Sequence, residues 1–574
     1  MSMTFEKLPY GIASFEGLIK DGFAYVDKTR FIEILEDLDT LYPIVIRPRR
    51  FGKSLVVSML KAYYDQNFAI HFSENFQGTY IEQNPTPLKG KYCVLRLDFS
   101  AIDIKPLEVN FCKKMNSGMH DFFERYPIAG CKEFLSKEFE HPAVMWLEFC
   151  NLVRPIIGKK LYLLIDEYDQ FANDVLASDR KLFELITSKE GFIKNFYAAV
   201  KDSTDNFVAR TFITGVTPIT LDSITSGFNI ACNISGYPGI AEYFGFTPEE
   251  LRPLIDTVLK KISYRKTTEE VFFRMKDYYN GYRFSKNNNS SVFNASMCLY
   301  YLNYIRHNGA EPDQLSDPAV SPDIKKINGI LSCGNAEEIR AIVKNVLSGY
   351  SIPIDTLNTE LNLNKLCELS RTELLSVFYY LGYLTYAPEG RGLVCPNKAI
   401  RESFFNYFVE TLEGNRQVLF GGEAMNQALN ALTKGDIAPF IKYAARQFKD
   451  SVRLHAGAHL SEAAIQYYFL GTANRTSDFV ASIEEEAAGT GYVDLVLKPA
   501  PESKATATYL LEFKYLPKTT ANSQSIVSEK LRTAQDQLTR YASSGTFCDS
   551  EKIVKAALVF VGTDLVAQEI TSYS

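Results

Sequence analysis

Residues 43–60 read PIVIRPRRFGKSLVVSML: a short apolar run, a basic loop, then a second run with helical spacing. That order predicts strand, loop and helix. At such a junction the backbone N–H groups converge on the start of the helix, where an anion is held. Gly52 lets the backbone approach a phosphate, Lys53 can reach the terminal phosphates, and Ser54 can ligate Mg²⁺. These three form the second half of a Walker A loop, whose first glycine is replaced by Arg47. Arg49 and Arg50 lie inside the loop, where they either bind phosphate themselves or form a solvated basic surface.

Working outward, CVLRLDFS (93–100), LYLLIDE (161–167) and TFITGV (211–216) are further apolar runs ending in polar or glycine residues. Continuous runs of this kind suit strands buried on both faces of a parallel sheet. LYLLIDE has the Walker B form: Asp166 can hold Mg²⁺ through water, and Glu167 can orient and deprotonate an attacking water. The bland alternative is a pair of strand-end charges. Thr214 ends another strand, where a polar residue can sense a γ-phosphate. Nucleotide sites lie at the carboxyl ends of parallel strands, so these features are expected on one edge. Asp98 either faces that edge or merely ends its strand, and Arg210 reads as an arginine finger or an ordinary surface residue.

The rest of the chain sets limits. It has 574 residues, enough for roughly three to five domains. With 46% hydrophobic and 23% charged residues, it is not a disordered chain. No stretch approaches the ~18 unbroken apolar residues of a membrane helix. MSMTFEKLPYG has neither a basic nor an apolar leader segment, and the ten cysteines form no CxxC pair. A reducing, cytoplasmic location is therefore expected, without a membrane partner. The net charge of -6 excludes a broad basic coat for nucleic acid but not a local basic cleft.

Three segments are expected: 1–245, α/β; 246–450, mostly helical; and 451–574, α/β again. In the second, Thr247, Pro248 and Glu250 carry a helix-start signature. In the third, GYVDLVLKP and TYLLEFKYL read as neighbouring strands, SEAAIQYYFLG and SEKLRTAQDQLTRYA as helices, and KAALVFVG as a final buried strand.

The third segment carries the second chemical constellation. Glu512 and Lys514 share one face of a strand, and Asp494 reaches them if the two strands pair. Hard carboxylates suit Mg²⁺ or Mn²⁺. A charge inside an otherwise buried run needs a reason, although charged strand positions are commonly a solvent-facing row. Glu462 is a candidate further ligand, while Gln537 and Tyr541 share a helix face that can present Gln537 to the site. His455 and His459 are four apart and either ligate a metal or pack at the surface.

Taken in order, LPYGIASFEGLIKDGFAYVDKT, RPRRFGKSL, LLIDEYD, FITGVTPI, YFGFTPEE, YYNGYRF, VFN, LGYLTY, the PN of LVCPNKAI, GYVDLVL, LLEFK and AQDQLTRY resemble the AAA-ATPase-like family with a C-terminal PD-(D/E)XK nuclease-like domain. The resemblance spans nearly the whole chain, and the arginine in place of the first Walker glycine belongs to that pattern. It implies an N-terminal P-loop NTPase with a parallel sheet, a helical lid and a C-terminal α/β restriction-endonuclease-like domain. It implies ATP and Mg²⁺ as cofactors, with ATP contacts at Arg50, Gly52, Lys53, Ser54, Asp166 and Thr214. Glu167, Asp494, Glu512 and Lys514 are the implied catalytic residues, and Ser54, Asp166, Glu462, Asp494 and Glu512 the metal ligands. The implied substrate is nucleic acid, DNA ahead of RNA, with an oligomer possible and defence against mobile DNA as a role by analogy. Relatives usually carry Gly-Arg before the nuclease aspartate, with one residue between, whereas this chain reads Gly491, Tyr492, Val493, Asp494. A non-catalytic ATP-dependent switch with a degenerate nuclease domain is the alternative.

Overall fold

A computed structural model describes residues 7–178, 182, 191–218, 228–286, 290–312, 314–315, 338, 341–343, 345–346, 351–358, 370–404, 423–451, 462–476, 478–487, 491–500, 503–518, 524–544, 546–547 and 552–573. It forms two compact units, one built mainly from residues 1–321 and 353–399, the other mainly from 400–574.

The apolar runs of the first unit become a parallel sheet. Strands β1 (Pro43–Ile46), β2 (Cys93–Asp98), β3 (Leu161–Asp166), β4 (Val208–Gly215) and β5 (Cys232–Asn233) lie in the order β2-β3-β4-β1-β5. Every residue of β1 and β3 is buried, which is why they read as unbroken hydrophobic runs. Helices Leu107–Arg125, Pro142–Ile157 and Phe192–Asp202 supply an aromatic core in which Phe99 stacks on Phe111 at 4.1 Å and Trp146 on Phe149 at 5.8 Å. Because β4 lies between β1 and β3, the loops after all three strands open at the same sheet edge.

Asp169 ties two of those loops together. It is fully buried and accepts from Val216 N at 2.9 Å, Thr217 N at 2.6 Å and Thr217 Oγ1 at 2.6 Å. Asp169→Ala removes the acceptor shared by two buried N–H groups and is expected to cost roughly 2–4 kcal/mol. The check is a lower urea midpoint with an unchanged m-value.

The helical stretch of this unit begins at Pro248–Ile262 with the expected capping box: Thr247 N donates to Glu250 at 2.8 Å and Glu250 N to Thr247 at 3.3 Å. Helices Thr268–Tyr279 and Ala295–Asn308 pack on it around Leu251, Ile255, Phe272, Met275 and Tyr301. After helix Arg371–Tyr380 the LTY stretch leaves helical geometry and pairs as β6 (Thr385–Tyr386) with β7 (Leu393–Val394).

In the second unit, β8 (Phe479–Glu486), β9 (Tyr492–Pro499), β10 (Thr508–Leu516), β11 (Ile553–Val561) and β12 (Asp564–Tyr573) form a mixed sheet in the order β12-β11-β10-β9-β8. Only the β10–β11 pair is parallel. Helix Gln524–Ala542 packs on β9 to β12 and helix Glu462–Ala473 on β8 to β10. KAALVFVG is not the final strand: β12 follows it as a sheet edge, half-exposed along much of its length.

Candidate functional sites

Gly52 makes the first site possible. It caps helix Lys53–Tyr64 with φ +87°, a backbone setting open to glycine, and so aims the start of the helix at the loop. A cavity of about 720 Å³ opens there, walled by Arg49, Arg50, Gly52, Lys53, Ser54, Asp98, Glu167, the 9–13 segment, and Phe246, Leu254 and Leu299. Lys53 is 3% exposed, donates to Arg47 O and Pro48 O at 3.2 Å each, and lies 3.4 Å from Glu167 Oε1. Glu167 has φ +52°, an uncommon setting for a non-glycine residue. Burial raises its carboxyl pKa, opposed by Lys53, and its Oε2 is buried without a hydrogen-bond partner.

Asp166 and Thr214 lie behind the cavity wall. Asp166 is 1% exposed, accepts Thr214 Oγ1 at 2.7 Å and Arg96 Nη2 at 2.9 Å. The threonine hydroxyl thus reaches the aspartate. Arg96 was not singled out by the sequence reading, although a lone arginine within CVLRLDFS carries the same signal as Glu512 within its strand. Asp98 does face the site, in register with Asp166 on the neighbouring strand. Arg50 is exposed with φ +71°, and Arg49 bonds Gln170. Arg210 stands opposite Tyr162 near the other end of the sheet. Lys28, also at the cavity, pairs with Glu250 at 2.6 Å and donates to Glu242 O at 2.7 Å.

The second site forms where β9 meets β10. The register sets Leu510 opposite Val496 and Leu511 opposite Leu495, which brings Glu512 across from Asp494. Asp494 Oδ2 accepts Phe513 N at 2.7 Å. Glu512 is 1% exposed, takes Lys514 Nζ on Oε1 at 2.9 Å, and leaves Oε2 buried without a partner. Burial raises both carboxyls above the usual range, joined at Asp494 by the Glu512 charge and opposed at Glu512 by Lys514. Burial lowers the Lys514 ammonium pKa, but Glu512 outweighs it, so the net shift is upward.

Glu462 starts its helix and accepts Tyr515 N at 3.2 Å, near the other two carboxylates. Gln537 donates to Tyr541 OH at 3.3 Å and keeps a buried, unpartnered Oε1. Tyr492 is 59% exposed. Among the described residues, no group of three His, Cys, Asp or Glu side chains is placed to hold a metal ion, so Glu462, Asp494 and Glu512 do not form a three-ligand set. Mg²⁺ does not need one, since it is held by one or two carboxylates together with waters and substrate phosphate. The paired acids and the orphaned Glu512 Oε2 fit such an ion. His455 and His459 lie outside the described residues.

Comparison with known proteins follows the same division. Residues 9–225 match the family described as Predicted AAA-ATPase, and residues 460–570 match the PD-(D/E)XK nuclease superfamily. The chain is 26% identical over 290 residues to an uncharacterized protein in the vnfD 5′ region of Azotobacter chroococcum mcd 1, covering 49% of this chain and 50% of that one. It thus spans about half the length of this curated relative. No solved structure matches the chain. Among the described residues, no helix is long and apolar enough to cross a membrane. The parallel sheet with its phosphate-loop junction and the mixed sheet with its paired acids are an AAA-ATPase-like domain and a PD-(D/E)XK nuclease superfamily domain on one chain.

Proposed function

We propose that this is a cytoplasmic ATPase whose nucleotide cycle controls a Mg²⁺-dependent nuclease acting on DNA in preference to RNA. The observation that carries the nuclease reading is the juxtaposition of Asp494, Glu512 and Lys514, with one buried carboxylate oxygen left open. When bound there, Mg²⁺ would polarise the scissile phosphate and lower the pKa of a coordinated water. Asp494 and Glu512 would hold it, with Glu462 nearby. Lys514 would orient the attacking water and offset phosphate charge, and Gln537 would hydrogen-bond the nucleic-acid backbone or that water.

At the other site, Gly52 and the start of its helix would bind the ATP phosphates, with Lys53 exchanging its loop carbonyls for phosphate oxygens. Ser54, with Asp166 behind it, would hold Mg²⁺. Glu167 would accept the proton of the attacking water, and Arg50 would contact the nucleotide. Thr214 would act through Asp166. Helices Pro248–Ile262 and Ala295–Asn308 would serve as a lid, since Leu254 and Leu299 wall the same cavity. Assembly into an oligomer and defence against mobile DNA belong to this reading by family analogy.

The test is incubation of full-length protein with linear DNA, circular DNA and RNA, with and without Mg²⁺ and ATP. Cleavage that requires Mg²⁺ and changes with ATP is expected. ATP binding without cleavage of any of the three under any condition would favour the alternative, a nucleotide-dependent switch with a degenerate nuclease domain. Two observations favour that second reading: Tyr492 stands where relatives carry arginine, and Asp166 is already engaged by Arg96 and Thr214.

A further inference from the structure

The first site's cavity wall does not explain why the YYNGYRF and LGYLTY stretches lie where they do. Both pack against the phosphate-binding loop. Arg47 is 1% exposed, with its guanidinium carbon 4.4 Å from the Phe284 ring centre and 5.4 Å from that of Phe244. Nη1 donates to Ile46 O at 2.9 Å, while Nε and Nη2 are buried without hydrogen-bond partners. An unpaired buried cation is costly, and a ring face is the compensation this site provides.

Phe51, three residues before Ser54, packs edge-on against Tyr282 at 4.8 Å and Phe284 at 5.3 Å. Between these two anchors, Pro48 meets Gly382, where φ is +81° and any Cβ would lie 2.8 Å from the proline Cβ. Residues 47, 48 and 51 are therefore all in contact with these two stretches.

The gripping segment is itself fixed. Tyr282 exchanges backbone hydrogen bonds with Val292 at 3.3 and 3.0 Å. Arg283 N donates to Thr385 Oγ1 at 2.6 Å, and Tyr379 OH donates to Phe284 O at 3.2 Å. Lys53 hangs from the carbonyls of Arg47 and Pro48, two of the gripped residues. Neither Arg47 nor Phe284 walls the cavity, so neither is placed to touch a bound nucleotide.

We propose that Arg47 and Phe284 are positioning residues: their stack holds the phosphate-binding loop preformed, so that nucleotide binding does not have to order it. The proposal rests on the ATP reading of this site and deepens it. A loop that must be ordered on binding loses affinity for its ligand. Arginine at the first Walker position then has a task, since a glycine there would offer the rings nothing to hold.

The experiment uses the full chain and two variants, Phe284→Leu and the gentler Arg47→Lys, which keeps the charge but loses the planar guanidinium. Amide hydrogen exchange of residues 47–54 is measured without nucleotide. Affinity for a fluorescent ATP analogue with Mg²⁺ is measured at a temperature where circular dichroism matches wild type. Faster exchange confined to 47–54 is expected in both variants, with affinity weakened about tenfold by Phe284→Leu. Arg47→Lys added to Phe284→Leu should weaken it by less than the sum of the separate effects, because both act through one stack. Wild-type exchange at 47–54 in both variants would overturn the proposal, as would faster exchange with unchanged affinity or fully additive losses. If wild-type protein does not bind the analogue, the nucleotide reading falls, and the exchange measurement alone decides whether the clamp exists.

Discussion

Glu512→Gln is expected to lower Mg²⁺-dependent cleavage by about a thousandfold or more while leaving the protein at least as stable as wild type. The first half follows from the proposed ligand set. An amide keeps the shape of the side chain and can still accept from Lys514, but it takes away the charge that holds a hard cation. A metal stabilises a phosphoryl-transfer transition state by several kcal/mol, and about 4 kcal/mol is a thousandfold in rate. The second half follows from burial: the Glu512 carboxylate is pushed upward by desolvation and raises Asp494 in turn, so a neutral amide in its place removes a buried charge.

Lys514→Ala makes the contrast. It should also abolish cleavage, yet it leaves Glu512 buried without its cation at 2.9 Å, so the melting temperature should fall. Cleavage assays and calorimetry on the same preparations separate the two variants. Loss of cleavage in both, with a lowered melting temperature in Lys514→Ala alone, is the expected signature. Wild-type cleavage by Glu512→Gln would remove these acids from the chemistry.

How much of this could be read beforehand depended on where the partners lie along the chain. β1, β3, β10 and β11 were legible because strands buried on both faces write themselves as continuous apolar runs. β8 and β12 were not. They are the two sheet edges, β8 ends in consecutive glutamates and β12 mixes exposed polar with apolar positions, so neither shows a buried run. β5 is only two residues long and has no periodicity to read.

The same limit applies to side chains. Glu512 and Lys514 were visible as charges out of place in an apolar strand, each with its partner two residues away. Arg96 shows the identical anomaly, but its partner Asp166 lies 70 residues on, and only strand pairing joins them. Arg47 was visible as a departure from the glycine pattern. Its burial was not, because Phe244 and Phe284 come from much later in the chain. Thr214 was placed at the correct strand end, but pattern alone could not tell a hydroxyl facing the cavity from one bonded to Asp166.

Glu167→Gln is expected to cut ATP turnover by about two to four orders of magnitude, the usual reach of a general base, while ATP binding is retained or tightened. Turnover falls because an amide cannot take the proton from water, although it can still accept a hydrogen bond from it. Binding should not fall, because the Glu167 carboxylate is a rival for Lys53, whose ammonium it approaches to 3.4 Å. Removing that negative charge leaves Lys53 on the carbonyls of Arg47 and Pro48, neutral acceptors that a phosphate displaces more easily. It also removes a like charge from the path of the incoming triphosphate. Lys53→Ala should instead lose binding along with turnover. A fluorescent ATP analogue reads the first quantity and single-turnover phosphate release the second. Equal turnover in Glu167→Gln and wild type would exclude Glu167 as the base. Weakened binding in Glu167→Gln would mean that the carboxylate helps to build the phosphate site rather than competing with it, and the Lys53–Glu167 contact would then be a structural pair.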